Sequence, residues 1–139
     1  MLSVRNGIIA GLVALMFTAA VHAAPMELKV INSWNGSVDD QGLQKEMPEG
    51  GFVADKKTFA KLIKSWGVAE KVPEVDFDKE LILIATTQGS RLNLKPSIED
   101  GDVKALGFGT RDLRPGFRYV IVSVSREGVK SVNGKKLDK

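Results

Sequence analysis

Two stretches of this chain, Leu81-Ile82-Leu83-Ile84-Ala85 and the run from Phe117 to Val124, are apolar at nearly every position, so an extended backbone through either presents apolar side chains on both faces. A strand of that kind belongs at the centre of a sheet. Between them, Leu92, Leu94, Pro96 and Ile98 alternate with Arg91, Asn93, Lys95, Ser97 and Glu99, which predicts a strand with one buried and one wet face. Pro96 has no N–H to give a ladder, which places that strand at an edge or at a bulge. Asp100-Gly101 fits a tight hairpin turn into a further strand over residues 103–110, and Glu127-Gly128 and Asn133-Gly134 punctuate a short terminal hairpin. Thr86-Thr87-Gln88-Gly89-Ser90 reads as a hairpin loop, and turns this brief favour antiparallel neighbours.

Upstream, residues 26–33 alternate loosely and read as a first strand, after which Trp34-Asn35-Gly36-Ser37 is turn chemistry and residues 39–51 form a polar loop. From Asp55, a good N-cap, the period becomes helical: Phe59, Leu62, Ile63 and Trp66 fall on one face, lysines lie elsewhere, and Gly67 ends the element. Pro73 separates it from the strand that follows. The fold expected is α+β, with one amphipathic helix packed on a largely antiparallel five- to six-stranded meander.

The N-terminus carries a different message. Arg5 precedes an apolar stretch from Gly7 to Ala20, and Val21-His22-Ala23 is a small-x-small cleavage pattern, as in a secretory signal peptide. The apolar run is shorter than the ~20 residues of a membrane span. Residues 1–23 are therefore expected to be removed, leaving one globular domain over residues 24–139, exported to the periplasm or the medium, with no membrane span after cleavage. The chain has no Cys, and its one His, His22, leaves with the leader. Ser-His and Cys-His triads, thiolate chemistry and the usual His/Cys zinc site are excluded for the remainder. No motif calls for a cofactor, since the glycine-bearing segment at Gly89 lacks Walker spacing and its lysine. All arginines beyond Arg5 lie between Arg91 and Arg126, so the C-terminal part is basic. That charge is spread over hairpins rather than in a stripe, which argues against nucleic acid as the partner.

Three features are candidates for function. Arg111, Arg114 and Arg118 gather beside Pro115-Gly116 and the chain's one tyrosine, Tyr119. Arginine forks bind carboxylate or phosphate in two-pronged fashion. The bland reading is a type II turn at Pro115-Gly116, with Asp112 neutralising one arginine. Trp34, beside the expected turn, either stacks on a ligand or closes one end of the core. The row Glu74, Asp76, Asp78 and Glu80, preceded by Glu70, would lie along one side of an extended backbone, where calcium or a paired-carboxylate hydrolase are the functional readings and a solvated strand entry the structural one.

The order of features, a helix ending in Trp66, Pro73-Glu74-Val75-Asp76-Phe77 leading into Leu81 to Ala85, a glycine turn, and a meander closing with Phe117-Arg118-Tyr119-Val120-Ile121, resembles the C-terminal domain family of the PrcB protease-complex subunit and its small exported bacterial relatives. The likeness covers roughly residues 53–125. Gly89-Ser90-Arg91-Leu92 stands where that family usually carries Gly-Gly-Tyr. The resemblance implies an exported, non-catalytic accessory or protein-binding domain, with another exported or envelope protein as partner. A carboxylate-based hydrolase acting on an envelope or extracellular substrate is the alternative.

Overall fold

The computed structural model describes residues 24–68 and 74–137. The leader, Glu70 and Pro73 lie outside the described residues. Strands predominate, in two sheets with one helix, so the class is α+β. The strands are β1 (Met26–Glu27), β2 (Val30–Val38), β3 (Phe52–Val53), β4 (Glu80–Thr87), β5 (Leu92–Glu99), β6 (Asp102–Gly109), β7 (Phe117–Ser125), β8 (Ser131–Val132) and β9 (Lys135–Lys136), and the helix is α1 (Lys56–Trp66). Where the sequence suggested one meander, the strands divide into a sheet of order β1-β5-β6-β8-β9 and a second of order β2-β7-β4-β3.

That division explains the two stretches that are apolar on both faces. Ile82 and Ile84 of β4 and Phe117, Tyr119 and Ile121 of β7 face α1, where they pack with Phe59, Leu62, Ile63 and Trp66. The alternate residues Leu81, Leu83, Ala85, Val120, Val122 and Val124 face the other sheet and pack with Leu94, Val103 and Val132. The β4–β7 pair is thus the middle of three layers, and each of its faces is buried against a different cover.

Local signals act as expected. The Asp55 carboxylate accepts from Thr58 N at 2.8 Å, a cap whose loss costs about 1 kcal/mol in comparable helices. Gly67 closes α1 at φ 69°, and Val68 N donates back to Ile63 O. Asp100 and Gly101 both take positive φ, as do Asn133 and Gly134, the geometry of two-residue hairpins. The polar loop before the helix contains two short 3-10 turns, Gln41–Glu46 and Glu49–Gly51, and Leu43 O accepts from the Trp66 indole at 2.9 Å.

Three expectations need correction. Residues 26–33 do not form one strand: β1 pairs with β5, and after Leu28 and Lys29 the chain crosses to the other sheet as β2. Trp34-Asn35-Gly36-Ser37 is no turn but the middle of β2, in register with residues 118–121 of β7. Gly36 serves a close approach there, since a Cβ on it would lie 2.5 Å from the Tyr119 hydroxyl. The segment from Gln88 to Arg91 is no hairpin loop either, because β4 and β5 lie in different sheets and the segment carries the chain between them.

Candidate functional site

Both connections that cross between the sheets at one end of the molecule, residues 88–91 and 110–116, are tied together by polar contacts. Arg114 N donates to Gln88 O at 2.9 Å, and Thr110 N donates to Arg91 O at 3.0 Å. Asp112 Oδ1 accepts from Ser90 N and from the Thr110 hydroxyl, while Oδ2 takes the Arg114 Nε at 3.2 Å. Those donors, the Thr110 hydroxyl foremost, hold the Asp112 carboxyl far below the usual carboxylate range. A carboxylate whose folded pKa is depressed contributes stability above its unfolded value, near 3.9, and loses that contribution as pH falls through the folded value. The gap in melting temperature between the wild type and Asp112→Asn is therefore expected to be widest above pH 5 and to narrow steadily below pH 4. A gap independent of pH would show that the carboxylate does not hold this junction.

The sheets approach each other closely just inside the junction. Gly107 and Gly109 of β6 face β4, and a Cβ on them would lie 2.9 Å from Ala85 Cβ and 2.5 Å from Thr87 Oγ1. Beside that approach, bordered by β2, β7 and the start of β5, lies an open cleft of about 810 Å³. Asn35 and Ser37 of β2 and Arg118 and Val120 of β7 form one wall, and Arg91, Leu92 and Asn93 form the other, with Thr110 at the end. Phe108 stands at the rim, 56% exposed. The cleft offers amides, hydroxyls, two guanidiniums and an aromatic edge, and no carboxylate lines it among the described residues. That is a set for recognition of a polar, electron-rich group.

Of the residues singled out from sequence, Arg118 reaches the cleft. It is half-buried and its guanidinium donates to Gln88 O and Pro115 O, each at 3.4 Å, bracing both crossing connections. Tyr119 borders the cleft, but its ring stacks on Trp66 at a centroid distance of 5.5 Å, and burial pushes its phenol pKa up. Trp34 lies on the opposite face of β2 from Asn35 and Ser37, packed against the α1 side of the core, so it does not join the arginines. Arg114 is committed to Asp112, and Arg111 is exposed outside the cleft lining. The structure therefore separates the three arginines expected to share a face, and places Trp34, the other candidate, on the α1 side of β2.

Sequence reasoning missed Asn35, Ser37, Arg91, Asn93 and Phe108. The available signal was Gly107-Phe108-Gly109: two glycines at period two inside a strand mark one face pressed against another backbone.

The acidic row is not a row. The backbone turns at Phe77 to Lys79: Asp78 N donates to Asp76 Oδ1 at 3.1 Å and Glu80 N to Asp76 O at 2.8 Å. Asp76 N in turn donates to Glu80 Oε2, and Glu74 lies 3.9 Å from the Lys56 ammonium at a fully wet site. Of the four, only Glu80 enters a strand, so the extended backbone on which the row depended is missing. Among the described residues no three of His, Cys, Asp and Glu come together in a group able to hold a metal ion. No described helix is long and apolar enough to cross a membrane.

Compared with family models, with curated proteins and with solved structures, the chain matches none.

Proposed function

We propose that this chain is an exported, non-catalytic accessory domain that binds another protein through the cleft between its two sheets. The observation that carries the reading is the cleft's lining: Arg91 and Arg118 with Asn35, Ser37, Asn93 and Thr110, an aromatic rim, and, among the described residues, no carboxylic acid to act as proton donor or nucleophile. The leader pattern at residues 1–23 supports export, and the resemblance to the C-terminal domain of PrcB supports an accessory role. On this reading the amphipathic helix is structural. Its apolar side covers β4 and β7, and its lysines keep that flank soluble.

Arg118 is the residue to test first, because it is half-buried at the base of the cleft, where truncating an arginine anchor in an interface commonly costs more than 1 kcal/mol. Retention of an envelope protein by the immobilised wild type is expected to fall about tenfold on Arg118→Ala, with little change on Arg111→Ala, which lies outside the cleft. Thermal melts of the three proteins establish that each is folded. Equal retention by Arg118→Ala and the wild type would remove the cleft from the proposal.

A further inference from the structure

We infer that an extended, acidic segment of a partner protein docks on this domain by adding a strand to the open edge of β5 beside residues 92–95, with a carboxylate of the incoming strand held by Arg118 and Arg91. The inference rests on the protein-binding reading above and specifies its mode.

The backbone supplies the first half of the argument. β1 pairs with β5 over Met26 with Ile98 and Glu27 with Ser97. The next amide, Leu28 N, donates to Pro96 O at 3.1 Å, and there the pairing stops. Pro96 has no N–H to return, and the chain turns away into β2. On the other side of β5, Thr110 N donates to Arg91 O, so the odd-numbered residues exchange hydrogen bonds with β6 and the even-numbered ones turn their N–H and C=O outward. Pro96 obeys that parity by offering its carbonyl to Leu28 N, just past β1. Leu92 and Leu94 obey it too, yet among the described residues no strand lies beside them. About 13 Å of edge is left open, enough for a short extended peptide. Exposed edges of this kind are templates for another strand unless they are covered.

The side chains supply the second half. The open edge looks into the cleft, whose lining holds Arg91 and Arg118. A second opening of about 580 Å³ continues along β5 from Asn93, which both share, to Pro96, and there Lys29 and Lys95 stand against Glu27. A strand laid along this path meets net positive charge throughout, which selects an acidic sequence over a basic one. At 3.4 Å the Arg118 bonds to Gln88 O and Pro115 O are long, so a carboxylate at ~2.8 Å competes well for the fork.

The test uses the purified protein, labelled with nitrogen-15, and a pentapeptide of alternating valine and threonine with a central aspartate. A central-lysine peptide and a form N-methylated on the edge-pairing amides are the comparisons. The aspartate peptide is expected to bind saturably and to slow exchange of the Leu92 and Leu94 amides with water about tenfold or more. The lysine and N-methylated forms should bind about tenfold more weakly, and Arg118→Ala and Arg91→Ala should each erase the preference for aspartate over lysine. Equal affinity for the three peptides, no saturation by about 1 mM, or protection at Gly107 and Gly109, whose amides face the far edge of β6, instead of Leu92 and Leu94 would overturn the inference. So would slow exchange at Leu92 and Leu94 in a peptide-free dimer, since a second copy would then fill the edge. If the peptides fail while retention of an envelope protein still depends on Arg118, strand addition is lost and the broader binding reading stands; if both fail, both are lost.

Discussion

Phe117→Ala is expected to lower stability by about 4 kcal/mol, which for a domain of this size is roughly 15 °C of melting temperature. Phe117 is fully buried, begins β7 opposite Val38, and meets Trp66 edge-on with ring centroids 5.1 Å apart. Truncation removes the transfer free energy of the ring and leaves a void between α1 and the middle sheet that rigid strands cannot fill. Phe108→Ala is the matched control. Its ring is 56% exposed at the cleft rim, so the same chemical change there is expected to stay within about 0.5 kcal/mol. Urea unfolding of both variants checks the pair, and similar losses from the two would mean that the burial assigned to β7 is wrong.

Gly116→Ala is expected to cost about 3 kcal/mol, although it adds a single methyl group. Gly116 sits at φ 70°, where an L side chain is strained by about 1 kcal/mol, and a Cβ on it would lie 2.1 Å from Val38 O. The obstacle is backbone rather than a flexible side chain, so β2 and β7 must move apart, a shift of the kind that costs about 1–3 kcal/mol in packed interiors. Gly128 separates the two effects. It has φ 74° and nothing within 4 Å of its Cβ direction, so Gly128→Ala should show the conformational cost alone, about 1 kcal/mol. Equal destabilisation by the two variants in thermal or urea melts would show that the approach of Val38 to Gly116 is not tight. The contact also bears on function, because Ser37 and Arg118, cross-strand neighbours on the cleft wall this pair forms, are the residues it positions.

What was legible in the sequence was local or periodic. Asp55 and Gly67 mark the helix ends because capping depends on residues three or four apart. Asp100-Gly101 and Asn133-Gly134 mark their turns because positive φ is set by the dipeptide itself. The runs through Leu81 to Ala85 and Phe117 to Val124 announced strands buried on both faces, yet the period of two does not say what covers each face, and two sheets with a helix fit the pattern as well as a single meander does. Asn35-Gly36 carried a turn signal that tertiary structure overrode: Gly36 is needed where the Tyr119 hydroxyl crosses β2, not for a bend. The cleft was the least legible feature. Arg91 and Arg118 both line it because two connections that cross between sheets meet there, and Arg91, on the wet side of an alternating strand, had nothing in its neighbours to set it apart from Lys95. The arginine cluster pointed to the loop that closes one end of the cleft, but of its side chains Arg118 alone lines the opening, because Arg114 is spent on Asp112 and Arg111 is exposed outside it.

The central claim is that recognition happens in the space between β2 and β5, and filling that space tests it most directly. Ser37 is exposed on the cleft wall, so Ser37→Tyr places a bulky ring in the opening without entering either core; Lys61→Tyr puts the same ring on the wet side of α1. Retention of the envelope partner by each immobilised variant, normalised to its folded fraction, is the measurement. The account predicts that Ser37→Tyr loses at least about tenfold in retention while Lys61→Tyr keeps it. Full retention by Ser37→Tyr, with loss from Lys61→Tyr, would contradict it and move the binding surface to the helical face.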